Sequence, residues 1–215
     1  MGSNALFLYS RTCVTHFTVN ILLSSPYEKA ALTITSPRHL ASSRPIHPPS
    51  TKRILFLGNS ITYAGGYINY IETYWLQHHA SQQMEFINMG LPSETVSGLS
   101  ELNHADGKFP RPDLHERLSR IIRLVKPDLV FACYGMNDGI YLPFDTARFN
   151  RFKEGIQWLH QQYVSQGIPI IHVTPPVYDE ERGGAKGYAT VLDRYTDWLL
   201  SLRDSSGKLP TCIIR

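Results

Sequence analysis

Long apolar runs, dense blocks of one charge and paired cysteines are what this 215-residue chain has least of. No stretch approaches the roughly 20 consecutive apolar residues of a bilayer-spanning helix, so no membrane span is expected. The three cysteines, Cys13, Cys133 and Cys212, are few and odd in number, and neither a disulfide framework nor a zinc site is written in their spacing. Cys133 lies inside an apolar run and reads as a buried free thiol. A formal charge of +3 without any Lys/Arg block argues against a nucleic-acid surface. Acids are scarce at the start, where Glu28 is the only one before residue 51. Ser, Thr, Pro and His are frequent there, and "SPRHLASSRPIHPPSTK" (36–52) should be extended and unpacked. Residues 1–51 are therefore expected to be a disordered or targeting-like extension, or to follow an upstream start that is not the working one. "FTVNILL" (17–23) resembles a weak signal core without a convincing cleavage site, while Ser/Arg richness also suits an organellar transit peptide.

From Lys52 onward the chain, with an overall hydrophobic content of 42%, alternates regularly and reads as one domain, 52–215. "RILFLG" (53–58) is an uninterrupted apolar run ending in Gly, as expected of a strand covered on both faces. Ile68, Ile71 and Trp75 then recur at helical spacing, and "MEFINMG" (84–90) reads as a second strand. In "HERLSRIIRLVK" (115–126) Leu118, Ile121, Ile122 and Val125 form one helical stripe, which Pro127 stops. "DLVFACYG" (128–135) is a third strand. Phe149, Phe152, Ile156, Leu159 and Tyr163 mark a long helix over 146–166, closed by Gly167. "IPIIHVTPP" (168–176) is a fourth strand, Val191, Tyr195, Trp198 and Leu202 mark a last helix, and "LPTCII" begins a fifth strand. Such alternation implies right-handed crossovers and a parallel sheet: an α/β, flavodoxin-like three-layer α/β/α sandwich with strand order 2-1-3-4 and a fragmentary fifth. Its site should lie at the carboxyl ends of the strands.

Three segments occupy that position: "GNS" (58–60), "NMGLPSET" (88–95) and "YGMND" (134–138). Gly58 permits a tight turn. Ser60 then stands at a helix entry, where outward-pointing N–H groups favour developing negative charge. Asn137 offers a side-chain N–H donor, and the loop after the second strand a backbone one. A nucleophile and several donors on one edge would constitute an acyl-transfer site. Each element has a plainer explanation. A serine before a helix is commonly its cap, Asn-Asp-Gly is a turn signal, and Gly90 ends a strand. Their recurrence at successive strand ends is what the plainer explanations leave unaccounted for. A phosphate- or nucleotide-binding doubly wound domain would use the same helix entry. The chain, however, has neither a Walker Gly-Lys-Ser/Thr nor a Gly-x-Gly-x-x-Gly fingerprint.

"FLGNSIT" and "YGMND", in this order, resemble the first and third blocks of the SGNH, or GDSL-like, hydrolase family, over roughly Lys52–Arg203. The family's Gly-Asp-Ser appears here as Gly58-Asn59-Ser60. The resemblance implies Ser60 as nucleophile and Asn137 as an oxyanion donor, with no metal or organic cofactor. It further implies the SGNH hydrolase fold and a small-molecule or glycan acyl ester, such as an acetyl ester on sugar or lipid, as substrate. The family's oxyanion glycine usually precedes an acidic residue and Thr. That register points to Ser93, whereas the only glycine of the block is Gly90, and both amides stay candidates. The polar loop "SGLSELNHADGKFPRP" (97–112) reads as a pocket wall in which His104 and Asp106 either touch substrate or are solvated.

In that family the base and its orienting group come from an Asp-x-x-His block after the fifth strand. No Asp-x-x-His occurs in this sequence, so the expectation is a C-terminally incomplete hydrolase of impaired activity, or a non-catalytic pseudoenzyme that binds the same ligands. His172 reads as a core residue, His160 as solvent-facing, His78 and His79 as helix-end residues, and Asp113-x-His115 as helix-capping chemistry.

Overall fold

A computed structural model describes residues 53–79, 81–204 and 211–212; the expected extension, 1–51, lies outside them. The strands are β1 (Arg53–Gly58), β2 (Glu85–Gly90), β3 (Leu129–Cys133), β4 (Ile170–Val173) and β5 (Thr211–Cys212). They pair in parallel in the order β2-β1-β3-β4-β5, which is the expected doubly wound arrangement. Between them run α1 (Ser60–Ala64), α2 (Gly66–His78), α3 (Leu114–Val125), α4 (Thr146–Val164), α5 (Glu180–Gly183) and α6 (Tyr188–Asp204). The short α1 and α5 have no periodic signal in the sequence.

Side chains alternate across the strands and divide the core in two. Leu55, Leu57, Val130, Ala132 and Ile170 belong to a cluster with Leu118 and Ile121 of α3, Phe152, Ile156, Leu159 and Tyr163 of α4, and Val191, Leu192, Tyr195 and Leu199 of α6. Phe56, in between, points the other way and stacks on Phe86 and Phe131, with Tyr67 of α2 against its edge. The last helical stripe is thus rotated from the expected one: Leu192 and Leu199 are buried, and Trp198 sits at the border. Phe152 is fully buried and stacks on Tyr195 at 4.4 Å; truncating it to Ala would cost about 3–5 kcal/mol.

Helix ends follow local chemistry. Asp113 caps α3 by accepting from the His115 N–H, Lys126 turns left-handed at its end, and Pro127 prevents continuation. Asp145 caps α4 through the Arg148 N–H. Two histidine expectations divide. His172 is buried in β4, as expected. His160 is half-buried rather than solvent-facing, because its Nδ1 lies 3.3 Å from His172 Nε2. Cys133 is a buried free thiol whose pKa burial pushes up to about 12, so it stays protonated and inert.

Candidate active site

The register of the sheet sets the three candidate segments side by side. Gly58 lies opposite Gly90 on one side and Cys133 on the other, so the chain leaves three neighbouring strands at one level. The Leu91 N–H donates to the Gly58 carbonyl at 2.9 Å, joining the first two exits. Both glycines are required by close approach. A Cβ on Gly90 would overlap the Tyr63 backbone nitrogen, and one on Gly58 would meet the Thr62 side chain and the Cys133 carbonyl. Only bare backbone lets α1 settle directly on the sheet tips, and α1 carries Ser60.

The structure separates capping from exposure at this corner. Asn59, not Ser60, is the N-cap: its Oδ1 accepts from the Ile61 N–H at 3.1 Å while its side chain is fully buried. Ser60 is the first helical residue and is exposed. Its backbone N–H belongs to the unpaired first turn, and neither it nor the hydroxyl has a hydrogen-bond partner among the described residues.

In the second segment the two candidate amides differ. The Gly90 N–H donates to Asn88 Oδ1 at 2.9 Å. Ser93 has φ +65°, in the left-handed region that favours glycine, and its N–H has no partner among the described residues. Ser93 is followed by the fully buried Glu94. Arg117 of α3 grips that carboxylate with Nε at 2.5 Å and Nη2 at 2.6 Å, and gives a third bond to the Met89 carbonyl. The Tyr134 hydroxyl adds a donor at 2.7 Å. Burial pushes the Glu94 carboxyl above its ordinary value, and the Arg117 and Tyr134 donors pull it back.

The third segment docks onto the second. Asn137 is buried; its Nδ2 donates to the Glu94 carbonyl at 3.1 Å and its Oδ1 accepts from the Tyr141 hydroxyl at 3.1 Å. Asp138 is fully buried, with Oδ1 accepting from the Val96 and Ser97 amides and Oδ2 from the Gly135 amide, each at 2.9 Å. Burial raises its pKa against these three donors. Ser93 and Asn137 are thus joined through Glu94, while Ser60 reaches them through the Gly58–Gly90–Leu91 contacts.

The wall loop is partly ordered by its own ion pairs. Arg111 is buried and bidentate on Glu101, both contacts at 2.6 Å, and His104 Nδ1 lies 3.5 Å from the same carboxylate. Asp106 is exposed. Every described histidine makes its described contacts with residues other than Ser60. His78 holds the Tyr74 carbonyl, His79 packs on Trp75, His115 pairs with Asp113 at 2.6 Å and stacks on Trp158, and His160 faces His172. A separate hollow lined by Ser119, Ile122, Arg123, Lys126, Gln162 and Gln166 lies at the C-terminal ends of α3 and α4, away from the strand tips. Among the described residues no cluster of His, Cys, Asp and Glu is arranged to hold a metal ion.

The family model described as the GDSL-like lipase/acylhydrolase family matches residues 56–208. This chain belongs to that family. The fold is similar to that of the acetyl xylan esterase AlAXEase, at 20% identity and TM-score 0.57 over 76% of this chain and 77% of that one. It is similar also to a mutant of Axe2, an acetyl-xylooligosaccharide esterase from Geobacillus, at 19% and 0.55 over 77% and 76%. A lipase/acylhydrolase from Enterococcus faecalis gives 20% and 0.53 over 74% of each chain. No curated protein matches the chain.

Sequence reasoning did not single out Glu94, Arg117, Tyr141, Arg111 or Glu101 as parts of this site. The one available signal was composition: Glu94, Glu101, Arg111 and Arg117 sit inside or beside loops otherwise rich in small polar residues.

Proposed function

We propose that this domain is an esterase-type acyl hydrolase in which Ser60 attacks the ester carbonyl. The oxyanion is held by the backbone amides of Ser60 and Ser93 and by the free Nδ2–H of Asn137. Gly90 is a spacing residue that admits α1, since its own amide is spent on Asn88. The observation that supports this reading is that three neighbouring strands end at one level, followed by an exposed serine and backbone N–H groups that have no partner among the described residues. Preorganised donors of this kind stabilise a tetrahedral oxyanion by several kcal/mol, about 2.7–4 for one donor. Ser93 supports the assignment because the N–H of this left-handed residue is spent on no partner among the described residues. We read the substrate as an acyl ester, such as an acetyl ester on carbohydrate or lipid, in line with the acetyl xylan esterases whose folds this one resembles.

A serine nucleophile needs a proton acceptor, and none of the described histidines touches Ser60. That observation favours a second reading, in which the same pocket binds acylated ligands without turnover. Without a base, oxyanion donors and binding alone would leave roughly 10³-fold acceleration over water. The test is hydrolysis of a short-chain aryl acetate by the purified chain beside Ser60→Ala, with fluorophosphonate labelling as a second readout. Turnover and labelling that both vanish in Ser60→Ala are the expected result. Unchanged turnover in Ser60→Ala would overturn the hydrolase reading, and silence in both assays would favour binding alone.

A further inference from the structure

Asn137 is a carboxamide, and a carboxamide can face either way round. Its neighbours decide. The Glu94 carbonyl can only accept, so the atom 3.1 Å from it is Nδ2. The atom facing Tyr141 is therefore Oδ1, which can only accept, and the Tyr141 hydroxyl at 3.1 Å must donate. With those two bonds made, one N–H of Nδ2 is left over. Burial pushes the Tyr141 hydroxyl above its ordinary pKa, so it remains a protonated donor at neutral pH.

Tyr141 is itself held from several directions. Its ring stacks on Tyr188 at 4.9 Å and tilts against Tyr178 at 5.9 Å. The Tyr188 hydroxyl in turn donates to the Met136 carbonyl beside Asn137. Arg111 lies over the Tyr141 ring at 5.5 Å, and Arg111 is pinned by Glu101 in the loop after β2. Ile140 and Tyr141 are successive left-handed residues, with φ +48° and +55°, and neither is glycine. Such backbone persists only where its surroundings over-determine it. An aromatic that merely filled the core would need neither the strained turn nor the hydroxyl aimed at the carboxamide.

We propose that Tyr141 is a positioning residue. Its hydroxyl, steadied by Arg111 and Tyr188, fixes the Asn137 carboxamide so that the spare Nδ2–H faces the ester oxygen. The inference rests on the hydrolase reading above for its catalytic meaning, but its geometric content is testable without turnover.

The experiment uses the full chain as wild type, Tyr141→Phe, Asn137→Ala and the double variant. Phe keeps the ring and its stacking, and removes only the donor. On an aryl acetate, Tyr141→Phe should lower kcat about 10-fold with KM nearly unchanged, less than the ~10²–10³ expected for losing the whole donor. In the Asn137→Ala background the same change should cost nothing further, because Tyr141 acts through Asn137. Equal losses in both backgrounds would overturn the proposal. The second measurement is the side-chain NH₂ pair of Asn137 in a nitrogen–proton NMR spectrum. Tyr141→Phe should shift this pair and speed its exchange with solvent about 10-fold. An unmoved pair would overturn the proposal even in a chain that hydrolyses nothing. If Ser60→Ala hydrolyses as well as wild type while the Asn137 pair still responds to Tyr141→Phe, the hydrolase reading falls and the positioning contact stands.

Discussion

Replacing Arg117 by Leu tests the most heavily loaded contact behind the strand tips. The Glu94 side chain is fully buried and that of Arg117 is 15% exposed, so water cannot take over the lost bonds. The guanidinium makes two contacts with the Glu94 carboxylate and one with the Met89 carbonyl. Removing it leaves a buried carboxylate with Tyr134 as its one remaining side-chain donor among the described residues. Breaking a buried pair from one side typically costs about 3–5 kcal/mol. For a domain of this size each kcal/mol lowers the Tm by roughly 2–4 °C, so a fall of about 10 °C is expected. The pair's net worth is smaller than that loss, since burying two ions is costly to begin with. Glu94→Leu combined with Arg117→Leu should therefore cost clearly less than the two single changes added together, with a coupling of about 1–3 kcal/mol. Urea denaturation of the four proteins measures the cycle. A loss below ~1 kcal/mol for Arg117→Leu, or strictly additive losses, would refute the view that this pair anchors the Ser93 loop.

Ser93→Gly should raise stability by up to ~1 kcal/mol in urea, because glycine adopts φ +65° without strain, and it should keep esterase activity because the amide remains. Gly90→Ala should destabilise by about 1–3 kcal/mol and lower activity, since its Cβ would press on the Tyr63 backbone and lift α1; an unchanged Tm would contradict the packing. Burial and the adjacent His160 push the His172 pKa from 6.5 down to about 3. Between those values the unfolded chain binds the proton that the folded chain refuses. Stability is therefore fully present above pH 6.5 and falls toward pH 3, by at most ~1.4 kcal/mol per unit. His172→Leu should flatten that part of the pH profile, and an equally steep profile in the variant would remove His172 as its source. ATP, NAD and FMN should leave the melting temperature unmoved, whereas a rise with any of them would revive a nucleotide-binding reading of the α1 entry.

The fold was legible because its signals are local. Uninterrupted apolar runs closed by glycine mark central parallel strands, and the stripes of α3 and α4 place Leu118, Ile121, Phe152 and Leu159 inward as their spacing requires. The strand ends that carry Ser60, Ser93 and Asn137 followed from the topology. What escaped reading depends on contacts distant in sequence or on loop backbone. Glu94 meets Arg117 across 23 residues, and no periodicity links them. That Asn59 rather than Ser60 caps α1 is decided by loop backbone, since Asn59 is the last non-helical residue before the first turn and its side chain accepts from the Ile61 N–H. Tyr141 is four residues after Asn137, yet no helix joins them, and only a left-handed turn folds its hydroxyl back. His160 fell outside the apolar stripe of α4, and its partner His172 could not be assigned from spacing.

The charged side chains around the strand tips share one pattern: each is engaged by backbone amides or by an opposite charge, and none meets Ser60 in a described contact. Asp138 gathers three amides from two loops, Glu94 takes Arg117, and Glu101 takes Arg111. The buried Arg111 and the partly buried Arg117 are thereby neutralised where they stand. On the proposed reading, the Ser60 hydroxyl, the Ser60 and Ser93 amides, which have no partner among the described residues, and the spare N–H of Asn137 form a neutral set that gains steeply from charge developing on an ester during attack. On the same reading, carboxylates already engaged by arginines and backbone amides would also present less like charge to an oxyanion. The cost of burying these acids is then understandable, because donors fixed before substrate arrives need no reorganisation when the negative charge forms.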